Sequence, residues 1–275
     1  MTYRTIMVSL STAGSNEGVL EIAGQLAEQF EAKVIGIAAS AFSPPPYLLA
    51  GAQSQNLIDE GEDAIRQRLS ELEEVFHAEI KGRATDIEWR SALELPARYV
   101  AREARAADVI VMASDSGAIG NPFETAAPGD LLMQAARPLL IVPSGVRWLD
   151  LRSALVAWKD GSEARRAVTD ALPMLGKAKE VVVAAVSEGE GERMAVLRQV
   201  DDVVAWLSRH GILASGLVPE ASGHVAAQLD RIASDVGAGF VVAGAYGHSR
   251  VREWVLGGVT QHLVRQKLRC TLLSR

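Results

Sequence analysis

Short runs of apolar residues alternate along this chain with longer stretches in which apolar positions recur every three or four residues. The runs at 4–8, 33–38, 87–90, 109–112 and 138–142 read as strands, several of them too continuously apolar to have one face in water. Between them, 19–30, 60–80 and 95–106 carry the spacing of amphipathic helices. The pattern then restarts. Strands are predicted at 152–156, 180–186, 212–217, 240–243 and 270–273, with helices at 163–175, 195–210 and 224–236 and a helix start at 261–265. Each repeat opens on a strand soon followed by Gly-Ser, Gly14-Ser15 in the first and Gly161-Ser162 in the second. Alternation of this kind implies parallel sheets with right-handed crossovers and helices on both faces. The expected fold class is therefore α/β, two tandem doubly wound parallel-sheet domains, 1–146 and 151–275. They are divided where Pro, Ser and Gly interrupt the pattern near 143–150.

The repeats are unequal. The first carries an added segment from Ser43-Pro44-Pro45-Pro46-Tyr47 to Gln55, whose successive prolines favour an extended, solvated excursion. Composition changes the picture little: 48% of the 275 residues are hydrophobic and few are aromatic, which suits buried strands under small-residue helices. A formal net charge of −6 argues against nucleic acid or an anionic membrane surface as partner. Cys270, the single cysteine, allows no internal disulfide and reads as a buried, inert thiol. Met1-Thr2-Tyr3-Arg4 passes straight into a strand, with no secretory pattern, and no apolar run reaches the roughly 20 residues that span a bilayer. A cytoplasmic protein is expected.

Chemistry concentrates in the second repeat. In an open parallel sheet, ligands sit beyond the carboxyl ends of the strands, where strand order reverses. That edge holds Asp160 after the first strand of the repeat, Val186 and Ser187 after the second, and Gly244 to Gly247 after the fourth. The spacing Gly244-x2-Gly247-x9-Gly257, followed by Gly258-Val259-Thr260 at a helix start, is neither a Rossmann fingerprint nor a P-loop. It still permits close approach of backbone to an anion. Asp160 either accepts hydrogen bonds from a ligand or caps the helix near Ser162. His248 and His262 read as loop or surface histidines, and no residue cluster has metal-ligand spacing.

Two α/β units, the Asp after strand one and this glycine pattern resemble the universal stress protein family in its tandem form, most specifically over 244–266. The resemblance implies five strands per domain in the order 3-2-1-4-5, an adenine nucleotide alpha hydrolase-like arrangement. It also implies ATP, or another adenine nucleotide, at the strand-one and strand-four edge. Carried over by position, Asp160 would contact the adenosine moiety, Val186 the adenine through its backbone, and Gly244 and Gly247 would shape the ribose and phosphate turn. Gly257, Gly258 and Val259 would offer N–H groups to phosphates, with Thr260 nearby. Gly258 stands where the family's ATP-binding pattern carries Ser or Thr. The first repeat departs further: Ala13 replaces the Asp, Ala113 and Ser116 replace the turn glycines, and Asp130 sits where phosphate would bind.

The expectation is a universal stress protein-like cytoplasmic protein that binds ATP, ADP or AMP in its C-terminal domain, with Mg2+ arriving on the nucleotide. Its role is regulatory or protective. The alternative is a module for a non-nucleotide small molecule or a protein, with a vestigial nucleotide site. Because no activating base is evident in the sequence, slow ATP hydrolysis is the most catalysis expected. The last strands, 139–142 and 271–273, are expected to pair the two domains within the chain, with a homodimer left open.

Overall fold

The computed structural model describes residues 2–43, 53–114, 121–187, 189–246 and 258–275. It divides into two compact units, Tyr3–Arg137, and Pro138–Arg275 joined by Thr2. The first unit has strands β1 (Thr5–Leu10), β2 (Lys33–Ala39), β3 (Ile87–Ala92) and β4 (Val109–Ala113). They are all parallel, in the order β3-β2-β1-β4. Helices α1 (Glu17–Phe30), α2 (Gln53–Ile80), α3 (Pro96–Glu103) and α4 (Pro128–Gln134) connect and cover them. Leu69, Leu72, Phe76 and Ile80 form the buried stripe of α2, and Phe76 packs on Trp89 of β3.

The second unit begins with β5 (Leu139–Val142) and continues with β6 (Ser153–Ala157), β7 (Glu180–Ala184), β8 (Ala214–Leu217), β9 (Phe240–Gly244) and β10 (Cys270–Ser274). Its helices are α5 (Ser162–Leu175), α6 (Glu190–Arg209), α7 (Val225–Asp235) and α8 (Gly258–Arg265). The order is β5-β10-β9-β6-β7-β8. The five strands of the second repeat are parallel in the 3-2-1-4-5 order that the family resemblance implies, while β5 pairs antiparallel with β10 through Thr271↔Ile141, Leu272↔Leu140 and Leu273↔Leu139. Both of these strands belong to this unit. Small residues bring α5 close to the sheet: Ala164, Ala167, Val168, Ala171, Leu172 and Leu175 form its buried face, against β9 and β10.

Several boundaries differ from the sequence pattern. Helix α2 starts at Gln53 rather than at 60, so Gln55 lies in a helix and not in the added segment, whose prolines 44–46 fall outside the described residues. Helix α6 starts at Glu190 rather than at 195, and β8 starts at Ala214, leaving Leu213 72% exposed. Cys270 is fully buried in β10, as expected, and burial pushes its thiol pKa up to about 12. It should therefore resist a disulfide reagent such as DTNB in the folded protein and react only as fast as the protein unfolds. No helix among the described residues is long and apolar enough to cross a membrane.

Candidate functional site

The carboxyl ends of three strands of the second unit come level, Ala157 of β6 beside Ala184 of β7 and Ala243 of β9. Strand order reverses here, with β7 on one side of β6 and β9 on the other, which makes this edge a crevice for a ligand. Beyond β7 the backbone continues its ladder toward β8: Ala185 N–H donates to the Leu217 carbonyl (3.0 Å) and Ser187 N–H to that of Pro219 (3.1 Å). In an extended chain, successive residues turn their backbone groups to opposite sides. Val186, lying between them, therefore faces the β6 side, and neither its N–H nor its carbonyl is hydrogen-bonded among the described residues. The backbone group expected to recognise a base is available.

Asp160 follows β6 by three residues and is bound bidentately by Arg165 of α5, with Nη2 at 2.7 Å from Oδ1 and 2.9 Å from Oδ2. It does not cap α5, whose N-cap is Gly161, with no side-chain cap. An exposed ion pair of this kind is worth about 0.2–1 kcal/mol, too little to keep a ligand hydroxyl from competing for the carboxylate. Asp160 also borders a cavity of about 440 Å³ between α5 and α6, walled by Trp158, Val168, Val203 and Trp206. The indole N–H of Trp158 is buried without a partner among the described residues.

Gly244 ends β9 against the start of α5. A Cβ there would lie 2.6 Å from the Ala164 backbone nitrogen and 2.7 Å from Glu163 Cγ. Its glycine is thus required for helix–strand packing, whatever else the turn does. The chain leaves β9 with Ala245 N–H bonded to the Ser274 carbonyl (2.8 Å), then Tyr246 in the left-handed region (φ 61°), a conformation that costs a non-glycine residue about 1–2 kcal/mol. Gly247, His248, Ser249 and Gly257 lie outside the described residues. At the start of α8, Gly258 is exposed, Val259 half-buried and Thr260 buried, and none of their N–H groups is hydrogen-bonded among the described residues. Gly258 and Val259 line a second cavity, of about 380 Å³, with His224, Val225 and Ala226 at the start of α7 and His262 of α8.

His262, read as a loop or surface histidine, stands on α8 with its side chain partly exposed. Its Nε2 hydrogen-bonds Asp230 Oδ2 of α7, and both side chains are partly buried. The sequence offered no signal, because the partners stand 32 residues apart on different helices. Among the described residues, no group of three or more His, Cys, Asp or Glu could hold a metal ion.

The equivalent edge of the first unit is closed by its own chain. Thr12 donates to the Glu124 carbonyl from N–H (3.2 Å) and hydroxyl (3.1 Å). Ala41 N–H and Ser40 Oγ both reach the Phe123 carbonyl, at 2.9 and 2.8 Å. Ser11 Oγ meets Thr125 Oγ1 at 2.5 Å, and Asn16 bonds the Ser11 backbone twice at 2.9 Å. Residues 121–125 thus cover the ends of β1 and β2, the place a ligand would take. Asp130 stands in the first turn of α4, as its alignment with α8 implied. Ser116 lies outside the described residues.

No protein-family model matches the chain, and no curated protein sequence does. Solved structures do. A universal stress protein from Archaeoglobus fulgidus superposes with a TM-score of 0.73 at 16% identity, over 98% of this chain and 96% of that one. A candidate universal stress protein from Pseudomonas aeruginosa gives 0.61 at 16% identity, over 99% and 93%. A functionally unknown protein from the same species gives 0.59 at 16%, over 99% and 92%. What these likenesses establish is the fold. The chain has the universal stress protein fold, laid down twice.

Proposed function

We propose that this protein binds an adenine nucleotide, ATP, ADP or AMP, at the carboxyl edge of β6, β7 and β9, with Mg2+ entering on the phosphates. The observation that carries the reading is the start of α8. Three adjacent N–H groups, of Gly258, Val259 and Thr260, are unbonded among the described residues at the positive end of a helix. Val186 supplies the backbone pair for adenine, Asp160 the acceptor for ribose, and Gly244, Gly247 and Gly257 the turn. We take the domains as 1–146 and 151–275, joined by their last strands. The first is a scaffold, and the whole is a cytoplasmic stress-response protein that regulates or protects partners, alone or as a homodimer.

A second reading, a module for a non-nucleotide small molecule, has the Trp158–Trp206 cavity in its favour. The two are separated by denaturing purified protein, identifying released material by mass spectrometry, and titrating ATP, ADP and AMP calorimetrically. Gly258→Ser adds the hydroxyl usual at this place, and a Cβ at 258 meets nothing within 4 Å among the described residues. One added hydrogen bond of about 0.5–1.5 kcal/mol should tighten nucleotide binding roughly 2- to 10-fold. If neither the wild type nor this variant binds any adenine nucleotide, the second reading replaces the first.

A further inference from the structure

We infer that His262, oriented by Asp230, is a general base for hydrolysis of the terminal phosphate of the bound nucleotide. This rests on the reading of α8 as the phosphate seat. His262 lies one turn after Gly258, and helical side chains lean toward the N-terminus, so the imidazole is directed over the first turn of its own helix. It accordingly lines the same cavity as Gly258 and Val259. The Asp230 carboxylate accepts the hydrogen bond from Nε2. That bond fixes the neutral tautomer with its lone pair on Nδ1, the arrangement in which a carboxylate orients a catalytic histidine. Neither partner has a competing ion pair among the described residues. His224 lines this cavity as well.

The step balances without any oxidant or reductant. A water held by Nδ1 gives its proton to the imidazole as its oxygen bonds to the terminal phosphorus. The bond from that phosphorus to the bridging oxygen breaks, and its electron pair stays on the departing nucleoside diphosphate. The divalent cation that arrives with the nucleotide offsets the charge left there. The imidazolium, stabilised by Asp230, then returns its proton to solvent, and inorganic phosphate leaves. Asp230 is a positioning residue, because it acts only through the imidazole.

The test measures two quantities on the full chain: the nucleotide Kd by calorimetry, and phosphate release from Mg2+-ATP in single turnover. His262→Gln retains a donor that can reach Asp230 but has no base. It should lower the rate at least 100-fold while the Kd stays within about twofold. Asp230→Asn should lower the rate with the Kd unchanged, and Asp230→Glu should recover part of it, an outcome that simple loss of packing would not give. Circular dichroism and a melting curve establish that each variant is folded. Wild type that binds ATP but releases phosphate no faster than His262→Gln overturns this inference and leaves the binding reading standing. Loss of affinity in step with rate makes His262 a phosphate anchor and overturns it too. Absence of binding in the wild type removes the binding reading itself.

Discussion

Gly244→Ala is expected to destabilise the second unit by roughly 2–3 kcal/mol, the upper part of the range for an added methyl with no room. Two effects oppose one another. Replacing a strand glycine by alanine normally stabilises by about 0.5–1 kcal/mol, through lost freedom of the unfolded chain. Here the new Cβ would stand 2.6 Å from the Ala164 nitrogen and 2.8 Å from the Glu163 carbonyl carbon, both backbone atoms, so neither can rotate away. The start of α5 must move off β9, and the clash outweighs the entropy. Urea unfolding should show a lower midpoint with an unchanged slope. A variant as stable as wild type would mean that α5 slides freely, and that Gly244 is present for a ligand rather than for packing.

Gly258→Asp should weaken nucleotide binding by at least 100-fold and leave the fold intact. A Cβ there meets nothing within 4 Å among the described residues. An aspartate in the first turn suits the helix dipole and is worth about 0.3–1 kcal/mol to stability. The same carboxylate would face the phosphates: two like charges 4 Å apart at an effective dielectric of 20 repel by about 4 kcal/mol. Calorimetric titration beside a thermal melt separates the two effects. Retained affinity with a normal melt would place the phosphates away from α8.

The topology was legible because the periodicities differ so sharply. Continuous apolar runs such as Phe240-Val241-Val242 can only be buried strands in this setting, and their alternation with amphipathic stretches implies parallel crossovers, while the strand order came only with the family resemblance. Boundaries were less legible where local signals conflict. The start of α2 at Gln53 is polar and lacks an apolar stripe, while Gly191 in the first turn of α6 disguises that start. Leu213 belongs by composition to β8, yet the chain enters this edge strand a residue later. The candidate site was legible as an edge of the sheet and a glycine spacing, since both are local in sequence. What joins distant residues was not. The Arg165 clamp on Asp160 depends on how α5 leaves its loop. The Asp230–His262 pair depends on the packing of α7 on α8, and the closure by 121–125 on bonds between residues more than 80 positions apart. Gly244 was assigned to a ligand turn because nothing in the sequence reveals which helix lies against it.

The closure of the first unit by residues 121–125 bears on stoichiometry. With that edge filled by the chain's own backbone, saturation should stop at one nucleotide per polypeptide, and an isolated chain has no second equivalent seat through which occupancy could feed back. Its titration should follow a simple hyperbola. A sigmoidal curve would then have to arise from association between polypeptides, and it would flatten on dilution.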